Sequence, residues 1–214
     1  MDKEKILSEL DVGNVFKEKI ENPVYLDFTS DNQELSEIDL NSEDFDSYIE
    51  NKTKGAVGIG KYDENRTIYN RSPLFAEDGR SIHLGIDLFV PSGWEIYSIL
   101  SGKIHSFQEN SSFGDYGPTI ILEHEENGLK FYTLYGHLSR DSLSGLKKGQ
   151  EIKKGQLLAK IGSHDVNGSW PPHLHFEIIF DMMGKEGDFP GVTNEKEREF
   201  YLKNCPNPNL LLRL

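Results

Sequence analysis

His83 and Asp87 in HLGID, His137 in YGHL, and His173 and His175 in HLHFE are of types that bind metals and move protons. A catalytic zinc usually takes three protein ligands from His, Asp, Glu and Cys and keeps a fourth position for water. His83, Asp87 and His175 supply such a set, which leaves His137 and His173 to handle protons. Zinc (Zn2+) held by two neutral imidazoles and one carboxylate keeps a net positive charge, so it lowers the pKa of water toward neutrality and polarises a carbonyl oxygen. Amide hydrolysis is the chemistry this favours, with His137 and His173 jointly serving as general base and oxyanion donor. No HExxH segment occurs, which excludes the helix-borne zinc proteases with a glutamate base. Glu177 reads as a strand-face carboxylate that pairs with a neighbour or orients a histidine.

The elements that must position these groups are strands. HLHFEI alternates, placing His173, His175 and Glu177 on one face and Leu174, Phe176 and Ile178 on the other. Pro171 and Pro172 lack amide donors and fix φ, so the strand starts cleanly after them. HLGIDLFVP reads as a loop passing into a strand. In a straight strand, residues four apart lie about 13 Å from each other, too far to share one ion. The chain must bend between His83 and Asp87, and Gly85 supplies the bend at low steric cost. WEIYSIL, TIILE, KFYTLYGHL and EIKKGQLLAKIG read as further short strands, punctuated by Gly, Asn, Asp and Pro. Of the other histidines, His105, His124 and His164 read as surface or strand-packing residues, and His124, which follows the apolar run TIILE, is the one exception the family pattern would place on a strand near the site.

The ordered set HLGID, YGHL and HLHFE resembles the lysostaphin/LytM-type zinc metallopeptidases, which mostly cut cell-wall peptides. VPSGWEIYSILSGKI, FGDYGPTIILEH and LKKGQEIKKGQLLAKIGS extend the resemblance over about residues 80–182. It implies a mainly β fold, an antiparallel β-sandwich of the duplicated hybrid motif. Short helices are expected in an N-terminal extension and a C-terminal tail. It also implies that His83, Asp87 and His175 are the zinc ligands and that His137 and His173 are the catalytic pair, acting on a peptide or peptidoglycan substrate. SHDVNGSWPPHLH departs from the family's short turn, so segments 107–118 and 163–172 are expected to border the cleft and set specificity. GKEGDFPGV, CPNPNLLL and GAVGIGKYDENR resemble the flanks of metallopeptidase-like modules in multidomain proteins with kinase-like and aminotransferase parts. That second likeness keeps open a cytoplasmic module with a substrate outside the cell wall, or an inactive zinc-binding role.

Composition bounds the remaining alternatives. The 214 residues are 36% hydrophobic and 28% charged, with a formal net charge of −13. Residues 1–50 hold fifteen Asp and Glu against four Lys, a net of −11, leaving −2 for the rest. The expected division is therefore an acidic extension over 1–70 that could serve as a lid, a catalytic domain over 71–185, and a tail over 186–214. In the extension EKILSEL and SEDFDSYIEN read as short helices, the second N-capped by Ser42, with PVYLDFT as a strand between them. Nucleic acid is an unsuitable partner for so acidic a chain, and no apolar stretch is long enough to span a membrane. The N-terminal stretch lacks an apolar signal region, which points to the cytoplasm, or to a secreted or periplasmic setting if a leader precedes it. The single Cys205 rules out an internal disulfide. A lipoyl-type carrier would need a lysine at an apolar-flanked hairpin tip, and Lys147, Lys148, Lys153 and Lys154 sit in polar turns. A histidine phosphocarrier has no use for His83 and Asp87.

Overall fold

The computed structural model describes residues 2–214 and is mainly β. Its twelve strands are β1 (Val24–Tyr25), β2 (Gly58–Gly60), β3 (Ile82–His83), β4 (Ile86–Phe89), β5 (Glu95–Tyr97), β6 (Gly102–Asn110), β7 (Gly117–Glu126), β8 (Leu129–Gly136), β9 (Glu151–Ile152), β10 (Leu157–Lys160), β11 (His173–Ile179) and β12 (Val192–Thr193). Short helices lie toward the two ends, α1 (Lys3–Glu9) and α2 (Glu43–Thr53) at one and α4 (Arg198–Asn204) and α5 (Asn209–Leu212) at the other, with α3 (Pro73–Ala76) between β2 and β3. Eight strands form one sheet in the order β1-β2-β4-β11-β8-β7-β6-β9. It is antiparallel throughout except for the β1–β2 pair.

Strand alternation gives this sheet two distinct faces. On one, Leu174, Phe176 and Ile178 of β11 join Tyr135, Phe131, Ile120, Leu122 and Ile104, covered by Ile96, Leu158 and Ala159 of the β5–β10 ribbon. Each such side chain contributes roughly 1.5–3 kcal/mol when fully buried, which makes this layer the main anchor of the strand register. The other face carries the chemistry. An apolar cluster of Phe28, Phe45, Tyr69, Phe75, Phe89 and Trp170 lies at its β1–β2 end. A second, of Leu84, Ile121, Leu134, Ile179, Phe189 and Cys205, lies toward β7.

Two expectations for the N-terminal segment are met in the backbone. Ser42 caps α2, its side chain accepting from the Asp44 amide, and EKILSE forms α1. PVYLDFT joins the ladder only at Val24 and Tyr25, which pair with Gly58 and Ile59. Phe28 and Phe45 are almost fully buried and β2 pairs directly with β4, so this segment supplies part of the sheet and its packing.

His124 is the packing residue its main reading made it, not the exception near the site. It pairs with Phe131 on β8, which places it on the apolar face opposite the candidate site. Its ring is 1% exposed, with Nδ1 2.8 Å from the Ser101 carbonyl and Nε2 2.7 Å from the Thr133 hydroxyl. Burial pushes its pKa down to about 4. The unfolded chain then binds a proton near pH 6.5 that the folded chain refuses until about pH 4. The resulting stability, on the order of 3 kcal/mol, is present above pH 6.5 and lost as the pH falls through that window. Urea unfolding at pH 7 and pH 4.5 should show this acid sensitivity, and His124→Gln should reduce the difference between the two midpoints. An equal difference in both proteins would contradict the assignment.

Candidate metal centre

Three neighbouring strands bring the five predicted residues together. Asp87 on β4 pairs with His175 on β11, which pairs in turn with Gly136 at the end of β8. His173 lies two residues before His175 on the same face, and His137 follows Gly136. His83 reaches them because the chain breaks its strand at Leu84 and Gly85, between β3 and β4. Gly85 does not adopt a left-handed φ. What it provides is space, since a Cβ there would lie 2.4 Å from His175 Cε1 and 2.8 Å from the Phe176 carbonyl oxygen.

His83, Asp87 and His175 converge closely. His83 Nε2 lies 3.0 Å from His175 Nδ1 and 3.2 Å from Asp87 Oδ1, and His175 Nδ1 is 3.0 Å from the same oxygen. Ligand atoms about 2.0–2.1 Å from a tetrahedral zinc would be roughly 3.3 Å apart, so the triangle fits such an ion with small adjustment. The outer nitrogens explain the orientation. His83 Nδ1 is 2.9 Å from the Lys61 carbonyl and His175 Nε2 is 3.4 Å from Glu177 Oε2, so each donates its N–H outward. In these neutral tautomers, assigned from their partners, three lone pairs point at one spot and call for a cation or a proton between them. Glu177 thus orients a histidine, as its strand position suggested.

The electrostatics agree with that reading. Burial, reinforced by Arg66, pushes His83 down to about 3. Burial alone would raise the Asp87 carboxyl, yet His83 and Arg66 hold it well below the usual carboxylate range. Burial likewise opposes charge on His175, but hydrogen bonds to Asp87 and Glu177 carry it up to about 9.

His137 and His173 form a second pair beside the triangle, with ring centroids 4.1 Å apart. His173 Nδ1 is 2.7 Å from the Pro171 carbonyl and His137 Nδ1 is 2.8 Å from the Asn167 carbonyl. Each donates that N–H to the backbone, which leaves Nε2 with a lone pair. His173 Nε2 is 3.8 Å from Asp87 Oδ1. Burial lowers the pKa of both, and in His137 the neighbouring His173 lowers it further. His137 also has φ +61°, a left-handed conformation uncommon outside glycine. It is held by hydrogen bonds from its amide to Tyr116 and from Gly162 to its carbonyl, each 2.8 Å.

All five side chains are 5% exposed or less, and all but His83 border a cleft of about 220 Å³. Segments 107–118 and 163–172 reach its wall through Asp115, Tyr116 and Trp170, as the sequence suggested. Trp170 Nε1 donates to the Gly114 carbonyl and ties the two segments together. Sequence reasoning missed Tyr116, whose hydroxyl lies 3.5 Å from His175 Nε2, and the buried pair Arg66 and Glu64. Their positions carry no periodicity or spacing that would have marked them. Tyr116 occurs in the recognised FGDYG stretch, but only the fold aims its ring at the site.

Residues 81–187 match peptidase family M23, and the chain belongs to that family. Over 97 residues it is 33% identical to the peptidoglycan DD-endopeptidase ShyB of Vibrio cholerae, covering 45% of this chain and 20% of that protein. Over 128 residues it is 29% identical to the L-Ala--D-Glu endopeptidase of Bacillus subtilis, covering 58% of this chain and 37% of the relative. The match therefore spans well under half the length of either protein. Among solved structures, the catalytic domain of lysostaphin from Staphylococcus simulans is 28% identical, with a TM-score of 0.39 over 56% of this chain and 80% of that one. Among the described residues, no helix is long and apolar enough to cross a membrane.

Proposed function

We propose that the protein is a zinc-dependent endopeptidase that hydrolyses an amide bond in a peptidoglycan peptide or a related peptide. The observation that carries this reading is the convergence of His83 Nε2, Asp87 Oδ1 and His175 Nδ1 within 3.0–3.2 Å of one another, beside two buried neutral histidines. His83, Asp87 and His175 would hold the ion. Bound there, zinc would supply a Lewis acid for the scissile carbonyl and lower the pKa of water.

The chain's own groups do the rest. The Asn167 and Pro171 carbonyls fix the tautomers of His137 and His173, so each presents an unprotonated Nε2 at neutral pH. One imidazole of such a pair takes a proton from water, and a protonated imidazole donates to the developing oxyanion or the leaving amine. Glu177 and the Lys61 carbonyl keep the ligand rings from rotating. Walls built by Tyr69, Tyr116 and Trp170 exclude bulk water and strengthen each of these interactions. The peptidoglycan endopeptidases among the relatives support the choice of substrate class.

The test is mass spectrometry of zinc-loaded protein incubated with stem peptides, glycine-rich bridges and ordinary peptides. A zinc-dependent product from a cell-wall peptide is expected. Silence across the whole panel with one zinc bound per chain would overturn the proposal, and cleavage confined to ordinary peptides would replace the substrate class.

A further inference from the structure

Asp87 has a second partner that no motif announces. Arg66 Nη1 lies 2.5 Å from Asp87 Oδ2, the oxygen that does not face the two histidines. The guanidinium is engaged elsewhere too. Its Nε donates to Glu64 Oε2 at 2.9 Å, its Nη2 to the Lys61 carbonyl at 3.1 Å, and its Nη1 also to the Tyr69 hydroxyl at 3.1 Å. It packs beside the rings of Phe28 and Tyr69. The side chains of Arg66, Glu64 and Asp87 are 1%, 3% and 4% exposed. Gly60 makes the approach feasible, since a Cβ there would lie 2.7 Å from Arg66 Nη2.

We infer that Arg66 is a positioning residue that restricts Asp87 to a single metal-facing oxygen, an inference that rests on the metal reading above. A carboxylate with two free oxygens can bind a cation through one or both. Tying Oδ2 into a rigid, planar guanidinium leaves Oδ1 alone in the donor triangle. A second oxygen on the ion would fill a position that substrate or water needs. Glu64 has the complementary task. It balances the guanidinium charge, so Asp87 keeps its own negative charge for the cation. The Lys61 carbonyl joins the two halves of the arrangement, because it accepts from both Arg66 and His83. Two of the three donors are thus oriented by the segment from Lys61 to Arg66, outside the residues that match the family.

Cobalt(II) is a spectroscopic substitute for zinc whose visible absorption weakens as its coordination number rises. Co2+ titrations of the wild type, Arg66→Met and Arg66→Lys, with near-UV circular dichroism to establish folding, test the inference. The wild type should give the intense absorption of a four-coordinate site. Arg66→Met should give a weaker absorption, as the freed Oδ2 joins the ion, and Arg66→Lys, retaining one charged donor, should recover part of the intensity. Identical spectra for folded wild type and Arg66→Met would overturn the assignment. Should Arg66→Met fail to fold, Glu64→Gln decides. An unbalanced guanidinium should weaken Co2+ binding about tenfold in chelator competition, and unchanged affinity would count against the charge-balancing arrangement. Failure of the wild type to take up Co2+ would instead defeat the metal reading itself, and the Arg66 inference with it.

Discussion

His137→Ala is expected to keep one zinc per chain while lowering peptide hydrolysis by about 10²–10⁴-fold, the usual contribution of a positioned proton-transfer group. His83→Ala and Asp87→Ala are expected to lose both metal and activity. The distinction follows from position. His83 and Asp87 are two corners of a donor triangle with edges of 3.0–3.2 Å, so removing either leaves two donors. His137 lies outside the triangle, packed on His173 and anchored through Nδ1 to the Asn167 carbonyl. One complication comes from its backbone. At φ +61° the native histidine and an alanine bear the same left-handed strain of about 1–2 kcal/mol, whereas His137→Gly deletes the ring and relieves that strain, which makes it a second variant protected against loss of fold. Metal content by atomic emission and turnover on the same samples would separate the two classes of variant. Retained turnover in folded His137→Ala and His137→Gly would remove His137 from the mechanism.

Gly85→Val is expected to weaken zinc binding by about 10–100-fold, the range typical of disturbed ligand support. The first added carbon would lie 2.4 Å from His175 Cε1 and 2.7 Å from its Nε2. His175 cannot swing aside without breaking its alignment with Glu177, and the Phe176 carbonyl at 2.8 Å blocks the other direction. Overpacking of this kind also costs about 1–3 kcal/mol of stability, so a lower melting temperature should accompany the loss. Chelator competition on the metal and thermal unfolding of the metal-free protein measure the two effects separately. Zinc affinity equal to wild type would show that the ring has room the structure does not reveal.

Much of the site was legible because its signals are local. Alternation in HLHFEI, the two prolines before it and the helix cap at Ser42 each act over a few residues, and each is found where the sequence placed it. The bend at Gly85 was also legible, although its physical cause is clearance for an imidazole and not a special φ. What escaped was long-range or carried by backbone. Arg66 meets Asp87 across 21 positions, and the groups that orient His137 and His173 are carbonyl oxygens, which every residue has. The conditional place of His124 near the site failed because strand parity decides the face a side chain occupies. One position along β7 separates the apolar layer from the chemical one.

The ladder that builds the site also fixes when it can exist. His175 meets Asp87 across 88 positions and His83 across 92, with β11 inserted between β4 and β8. Pairings of such separation carry a large loop-closure cost and form late relative to local structure. As the chain emerges from the ribosome, His83 and Asp87 are exposed long before their partner strand is made. The β6–β7–β8 meander is complete in sequence by then, but the donor triangle is not. Full assembly of the candidate catalytic apparatus therefore waits on the insertion of one central strand, and a chain stopped before His173 would lack a metal site however well its meander had folded.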